Sequence, residues 1–304
     1  MARTYRWMLL AALAVLAAAW AAPAPAADAA KINLLIIDGQ NGHDWKATTP
    51  VIKEMLEKTG RFTVDVLTSP PALPKNADDA AKAANKAGWE KFKPDFSKYQ
   101  VVLSNYCGQP WPEDVQKAFE KFVADGGGFV AYHFAIAAFK EWDAYNQMIG
   151  MGWKPAAFGE GLALDDSGKE VHRAKGEGAA GSHGPAHPFE VVVRDKDNPI
   201  MKGLPAKWMH ISDELYGSLR GPAKDIHILC TAFSIKDNDK QKAGTGLHEP
   251  MAWTVPFGKG RVFVTVLGHA VPETTAPDSA IILERGAEWA ATGAVTIPVP
   301  ADLK

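Results

Sequence analysis

The chain has 304 residues, 47% of them apolar and 22% charged, with a formal net charge of −2. That composition supports a sizeable buried core, and the near-balanced charge leaves no basic footprint for nucleic acid. Length alone admits one large domain or two ordinary ones.

Arg3 and Arg6 precede an apolar run from Trp7 to about Ala22, and Ala24-Pro25-Ala26 fits a small-residue cleavage site. This pattern reads as a secretory signal peptide over residues 1–26, leaving a mature chain from 27 to 304. The apolar run is Ala-rich and falls short of the ~20 residues a membrane span needs. The expectation is therefore a periplasmic or secreted protein with no membrane association after cleavage. Export would permit a disulfide between Cys107 and Cys230, but both lie in or beside apolar strands, where buried free thiols are an equal reading.

Lys31-Ile-Asn-Leu-Leu-Ile-Ile-Asp38 is a continuous apolar run of the kind found in parallel strands covered on both faces. A loop carrying His43 and Trp45 follows, then an amphipathic helix over 50–58 and an alternating strand over 61–67. Residues 69–97 read as a Pro-, Ala- and Lys-rich connection with a helix at 77–91. A third strand over 99–106 ends at Cys107-Gly108, and Pro112 opens a helix with Val115, Phe119, Phe122 and Val123 at helical spacing. Three glycines stop that helix, Phe129 to Tyr132 reads as a short buried strand, the chain turns at His133, and a helical pattern resumes through Phe139.

Beyond Gly150 the texture changes. Residues 153–188 are rich in Gly, His and charge and read as a long loop or hairpin insertion over the sheet; loops of that length are usually functional. Strands are expected over 189–194, 226–233, 251–255 and 261–267, and a closing helix over 279–291. Strands alternating with helices predict an α/β fold, a doubly wound and mostly parallel sheet flanked by helices. With no repeat and no splitting linker, residues 27–304 read as one domain.

Such sheets place chemistry at the carboxyl ends of their strands. Four groups qualify: His43 after the first strand, His133 at the turn after the fourth, flanked by Tyr132 and Phe134, Asp213-Glu214, and His269 closing the last strand. Imidazoles converging with a carboxylate suit proton transfer near neutral pH or ligation of a zinc-like divalent ion. The expected catalytic groups are His133, His269 and Glu214; the expected metal ligands are His43, His269 and Glu214. Trp45, Asp213, Tyr216, Trp253 and His187 are expected to bind substrate, the tryptophans by offering faces to sugar rings. Trp111, Trp153 and His183 lie in or near the same loops. Asp38-Gly39 and Asn41-Gly42 are turn signals that match no phosphate-binding fingerprint, so no nucleotide cofactor is expected.

Gly42-His-Asp-Trp45, Gly126-Gly-Gly-Phe-Val-Ala-Tyr-His133, Asn198-Pro-Ile-Met-Lys-Gly-Leu204, Asp213-Glu-Leu-Tyr216, Pro250-Met-Ala-Trp253 and Gly258-Lys-Gly-Arg-Val-Phe-Val-Thr-Val-Leu-Gly-His269 occur in this order. Together they resemble the ThuA-like family of trehalose-utilisation proteins over nearly the whole mature chain. Asn198 departs from the pattern, in which His often precedes Pro-Ile. The resemblance implies a flavodoxin-like, class I glutamine amidotransferase-like fold. It does not imply glutaminase activity, because His133 stands where a nucleophilic cysteine would be needed; His269 matches the glutaminase histidine by place, with Glu273 following it. It also implies a small-molecule carbohydrate partner, a keto- or oxidised glycoside, handled by elimination, isomerisation or hydrolysis with acid–base and metal assistance. The competing expectation is a sugar-binding module that grips a glycan with the same loops and does not react. A homo-oligomer stays open.

Overall fold

In the computed structural model, residues 30–236 and 244–303 are described; residues 1–26, expected from the sequence to be a signal peptide, lie outside them. Strand Ile32–Gly39 (β1) is buried at all but Asn33, and Val101–Tyr106 (β3) and Gly128–Tyr132 (β4) are buried throughout. Phe62–Thr68 (β2) alternates because it is the edge strand. With Gly260–Thr265 (β11), these strands form the parallel half of the sheet in the order β2-β1-β3-β4-β11. Strands buried on both faces are mostly apolar, which is why their sequences read as near-continuous apolar runs, with polar Asp38, Ser104 and Asn105 toward their carboxyl ends.

The helices follow from local signals. Trp45–Lys58 (α1) starts at Asp44, whose side chain accepts from the Ala47 amide at 3.2 Å. Asp79–Lys91 (α2) is capped in the same way by Asp78. Glu113–Ala124 (α3) buries Val115, Phe119 and Val123 on one face, and Glu113 and Asp114 favour its N-terminal dipole. Pro277–Thr292 (α6) packs so closely on β4 that a Cβ at Gly128 would lie 2.5 Å from the Ala290 backbone.

The chain beyond β4 departs from a plain helix. His133–Ala137 is a 3-10 turn, and Asp143–Ile149 (α4) forms only after a break at Phe139, which has a φ of +53°. Buried Lys154 donates to the Ala137 and Ala138 carbonyls at 3.1 and 2.5 Å, satisfying the end of that turn.

The insertion contains a hairpin, Gly161–Leu164 (β5) with Glu170–Arg173 (β6), attached through β5 to His248–Phe257 (β10). The rest of the sheet is an antiparallel extension of the parallel half, running from β11 through β10, His227–Phe233 (β9) and His187–Val193 (β7) to Lys207–Asp213 (β8). Four successive antiparallel pairings return β8 to the direction of β11, so both strands end on the same edge. Asp213 at the end of β8 accepts from the Gly268 amide just after β11, which brings the far strand back beside the parallel half. A short helix, Val271–Thr275 (α5), links that turn to α6.

Candidate functional site

Strand ends supply four of the site's groups. His43 follows β1, His133 follows β4, Glu214 follows β8 and His269 follows β11, while His183 comes from the insertion between β6 and β7. His133 has a φ of +45°, a left-handed conformation that a non-glycine residue adopts at a cost, held here at a sharp strand-to-helix turn. Gly268, at φ +105°, shapes the turn before His269; a Cβ there would lie 2.4 Å from the Tyr132 hydroxyl.

Glu214 is the hub. His183 Nε2 lies 3.3 Å and His269 Nε2 3.5 Å from its Oε1; His43 Nε2 lies 3.6 Å and His133 Nε2 3.7 Å from its Oε2. Burial pushes the Glu214 carboxyl up, but the surrounding imidazoles, His43 foremost, outweigh it and leave the pKa lowered. Its Oε2 is buried and makes no hydrogen bond among the described residues.

The other ring nitrogens decide what faces Glu214. Asn41 Oδ1 accepts from the His43 amide at 3.0 Å, which fixes it as the oxygen, and His43 Nδ1 lies 3.4 Å from it. His133 Nδ1 lies 2.7 Å from the Val266 carbonyl, and His183 Nδ1 lies 2.6 Å from the Gly184 carbonyl. Oxygens that can only accept require Nδ1–H donors, so the Nε2 of each neutral ring is a lone pair. A lone pair facing an ionised carboxylate repels it, so either a proton on the ring, which is what lowers the Glu214 pKa, or a shared cation must lie between them. Two ligand atoms on a tetrahedral zinc-like ion stand roughly 3.4 Å apart, given bond lengths of about 2.0–2.2 Å. The separations of Glu214 from His43 and His269 match that spacing, and the donor atoms of these three residues lie within 4.8 Å of one another. These three residues could hold a divalent ion.

His133 is tied up behind this cluster. Its Nε2 lies 3.1 Å from the Tyr216 hydroxyl, which donates to it. Burial pushes its pKa down to about 4 against the pull of Asp213. His133 was expected as a catalytic acid–base group; burial and occupied nitrogens make it instead the acceptor that orients Tyr216. Burial also raises the Tyr216 phenol, so it stays protonated. Tyr216 stacks on His183 at 5.7 Å and meets Trp153 edge-on at 4.7 Å, forming an aromatic wall beside Glu214.

Other expected substrate contacts fall elsewhere. Asp213 is fully buried: Oδ1 accepts from the Glu214 and His269 amides at 2.7 and 3.4 Å, and Oδ2 accepts from Gly268 at 2.8 Å and faces His210 Nε2 at 3.1 Å. It supports the site from behind and has no face for a ligand. Trp253 is also fully buried, its Nε1 donating to the Ile149 carbonyl at 2.8 Å, so it is core. His187 opens β7 beside Phe189, and the insertion places His183 on Glu214 instead. Trp45 is half-buried at the start of α1, with the Lys46 ammonium 5.6 Å from its ring. Trp111 is buried in the core. Cys107 and Cys230 are free thiols, pushed up by burial to about 11 and about 12.

The family model for ThuA, described as trehalose utilisation, matches residues 33–290. The chain belongs to the ThuA family. A ThuA-like protein from Parabacteroides merdae is 39% identical over 90% of this chain and 95% of its own, with a TM-score of 0.80. A ThuA-like protein from Bacteroides uniformis shares the fold at 19% identity and a TM-score of 0.58, over 90% of this chain and 98% of its own. No curated protein matches the chain. The ThuA sheet and its flanking helices have the class I glutamine amidotransferase-like arrangement, with His133 at the turn after β4.

Proposed function

We propose that this ThuA chain is an exported enzyme that acts on a keto- or oxidised glycoside, using a divalent ion held by His43, His269 and Glu214. The observation that carries the reading is the convergence of four imidazole Nε2 atoms on one largely buried carboxylate, at 3.3 to 3.7 Å. The family's description, trehalose utilisation, directs the reading to carbohydrates.

A keto group at C3 acidifies the proton at C2. His183 is the group placed to take it: its Nδ1–H is held by a backbone carbonyl, and its partly exposed ring keeps Nε2 beside Glu214. The electron pair moves onto the C3 oxygen as an enediolate. A bound ion would supply positive charge to that oxyanion. The pair then returns to form the C1–C2 double bond and expels the C1 alkoxide, which leaves as the alcohol with the proton returned by His183. Reprotonation of the enediolate without departure gives the isomer, and water addition to the elimination product gives net hydrolysis. Tyr216, whose one O–H is donated to His133, leaves its oxygen as an acceptor for substrate hydroxyls, and Trp153 offers apolar surface to a ring.

The test is a panel of 3-keto-glycosides incubated in deuterated buffer with added zinc or manganese. Deuterium at C2, or release of the alcohol, is expected from wild type and is abolished in Glu214→Gln and His183→Ala. Tight sugar binding with neither exchange nor product would instead establish a non-catalytic binding module.

A further inference from the structure

We propose that Asp213 is a positioning residue that, backed by His210 and Asp278, sets the spacing between Glu214 and His269. The inference rests on the reading that these two residues share one ion. Glu214 follows β8 and His269 follows β11, and β10, β9 and β7 lie between those strands in the sheet. The hydrogen-bond ladder therefore fixes their separation only through three intervening strands, each free to twist. One side chain makes the direct tie. The Asp213 carboxylate accepts from the amides of Glu214, Gly268 and His269 at 2.7, 2.8 and 3.4 Å, so both loops hang from a single group.

That group is itself fixed. His210 Nε2 lies 3.1 Å from Asp213 Oδ2, and His210 Nδ1 lies 2.6 Å from Asp278 Oδ2. The same Asp278 oxygen accepts from Trp208 Nε1 at 2.7 Å in the first turn of α6. Asp213 and His210 are fully buried and Asp278 nearly so. A carboxylate held by several donors in a dry setting has little freedom to move. A buried pair serving only stability would be expected to join core elements; this one joins the two backbones whose side chains meet at the ion site.

Calorimetric zinc titration and histidine Cε1–H NMR shifts of the full chain test the inference, with thermal melting to confirm folding. Asp213→Asn keeps the shape but removes an acceptor, and zinc affinity is expected to fall tenfold or more, the range seen when outer-sphere partners of metal ligands are changed. The His269 signal is expected to move as well. Asp278→Asn acts one step further away; a weaker loss in the same direction is expected, and it serves if Asp213→Asn does not fold. Glu249→Gln breaks another buried ion pair, with Arg173 at 2.5 Å, and should lower the melting temperature without changing zinc affinity or the His269 signal. An unmoved His269 signal in a folded Asp213 or Asp278 variant overturns the inference, as does unchanged zinc affinity in such a variant. Wild type that binds no zinc overturns the shared-ion reading, while the His269 signal still decides the positioning role.

Discussion

His210 should make this protein's stability fall as pH rises above neutral. Burial alone would strip its proton, but Asp213 at 3.1 Å and Asp278 at 2.6 Å outweigh burial and lift its pKa from the ordinary 6.5 to about 9. The folded state therefore holds this proton more tightly than the unfolded chain does. The resulting stability is fully present below about pH 6.5 and is lost as pH rises through about 9. A shift of that size is worth about 3 kcal/mol at about 1.4 kcal/mol per pH unit, and His210 is fully buried, so solvent does not screen it. Urea unfolding of wild type and His210→Gln at pH 6, 7.5 and 9.5 isolates the contribution of His210 and the two carboxylates bonded to it, because groups out of contact with His210 titrate alike in both proteins. The stability advantage of wild type should shrink by about 3 kcal/mol between pH 6 and pH 9.5. An advantage that stays constant across that range would mean His210 is neutral when buried and would refute the charged Asp213–His210–Asp278 arrangement.

Three further outcomes follow from particular residues. Trp253→Ala should cost about 3–5 kcal/mol of stability, as a large core truncation does, whereas Trp153→Ala should weaken sugar binding with a smaller stability loss; both are read by urea unfolding and calorimetry. Cys107 and Cys230 should each react with a thiol reagent once the protein is unfolded without reductant, and an intact disulfide would contradict the free thiols seen here. Protein made in a secreting host should begin near Ala27 by intact mass, and membrane-bound material that retains residues 1–26 would argue for an anchor instead.

The parallel half of the fold was legible because strands buried on both faces are mostly apolar, as β1, β3 and β4 are apart from Asn33, Asp38, Ser104 and Asn105. The glycine run at 126–128 marked the end of α3, and the strand-to-turn step at His133 was readable from the same stretch. The strand β8 was not: Lys207 to Asp213 mixes polar and apolar residues because its inner side carries Trp208 and His210 bonded to Asp278. The site was half legible. Strand-end position singled out His43, His133, Glu214 and His269, and the structure brings them together. It could not distinguish His183 from His187, since only the path of the insertion places one of them on Glu214. Nor could it show that Asp213 and Trp253 point inward, because their burial comes from the curl of the antiparallel strands and from α4 packing on β10.

An ion shared by His43, His269 and Glu214 is tested most directly by anomalous scattering from zinc-equilibrated crystals. The predicted result is a zinc peak bounded by His43 Nε2, His269 Nε2 and the Glu214 carboxylate at about 2.0–2.2 Å. Crystals saturated with zinc that show these three side chains in place with no peak between them, or a peak only elsewhere on the protein, would contradict it.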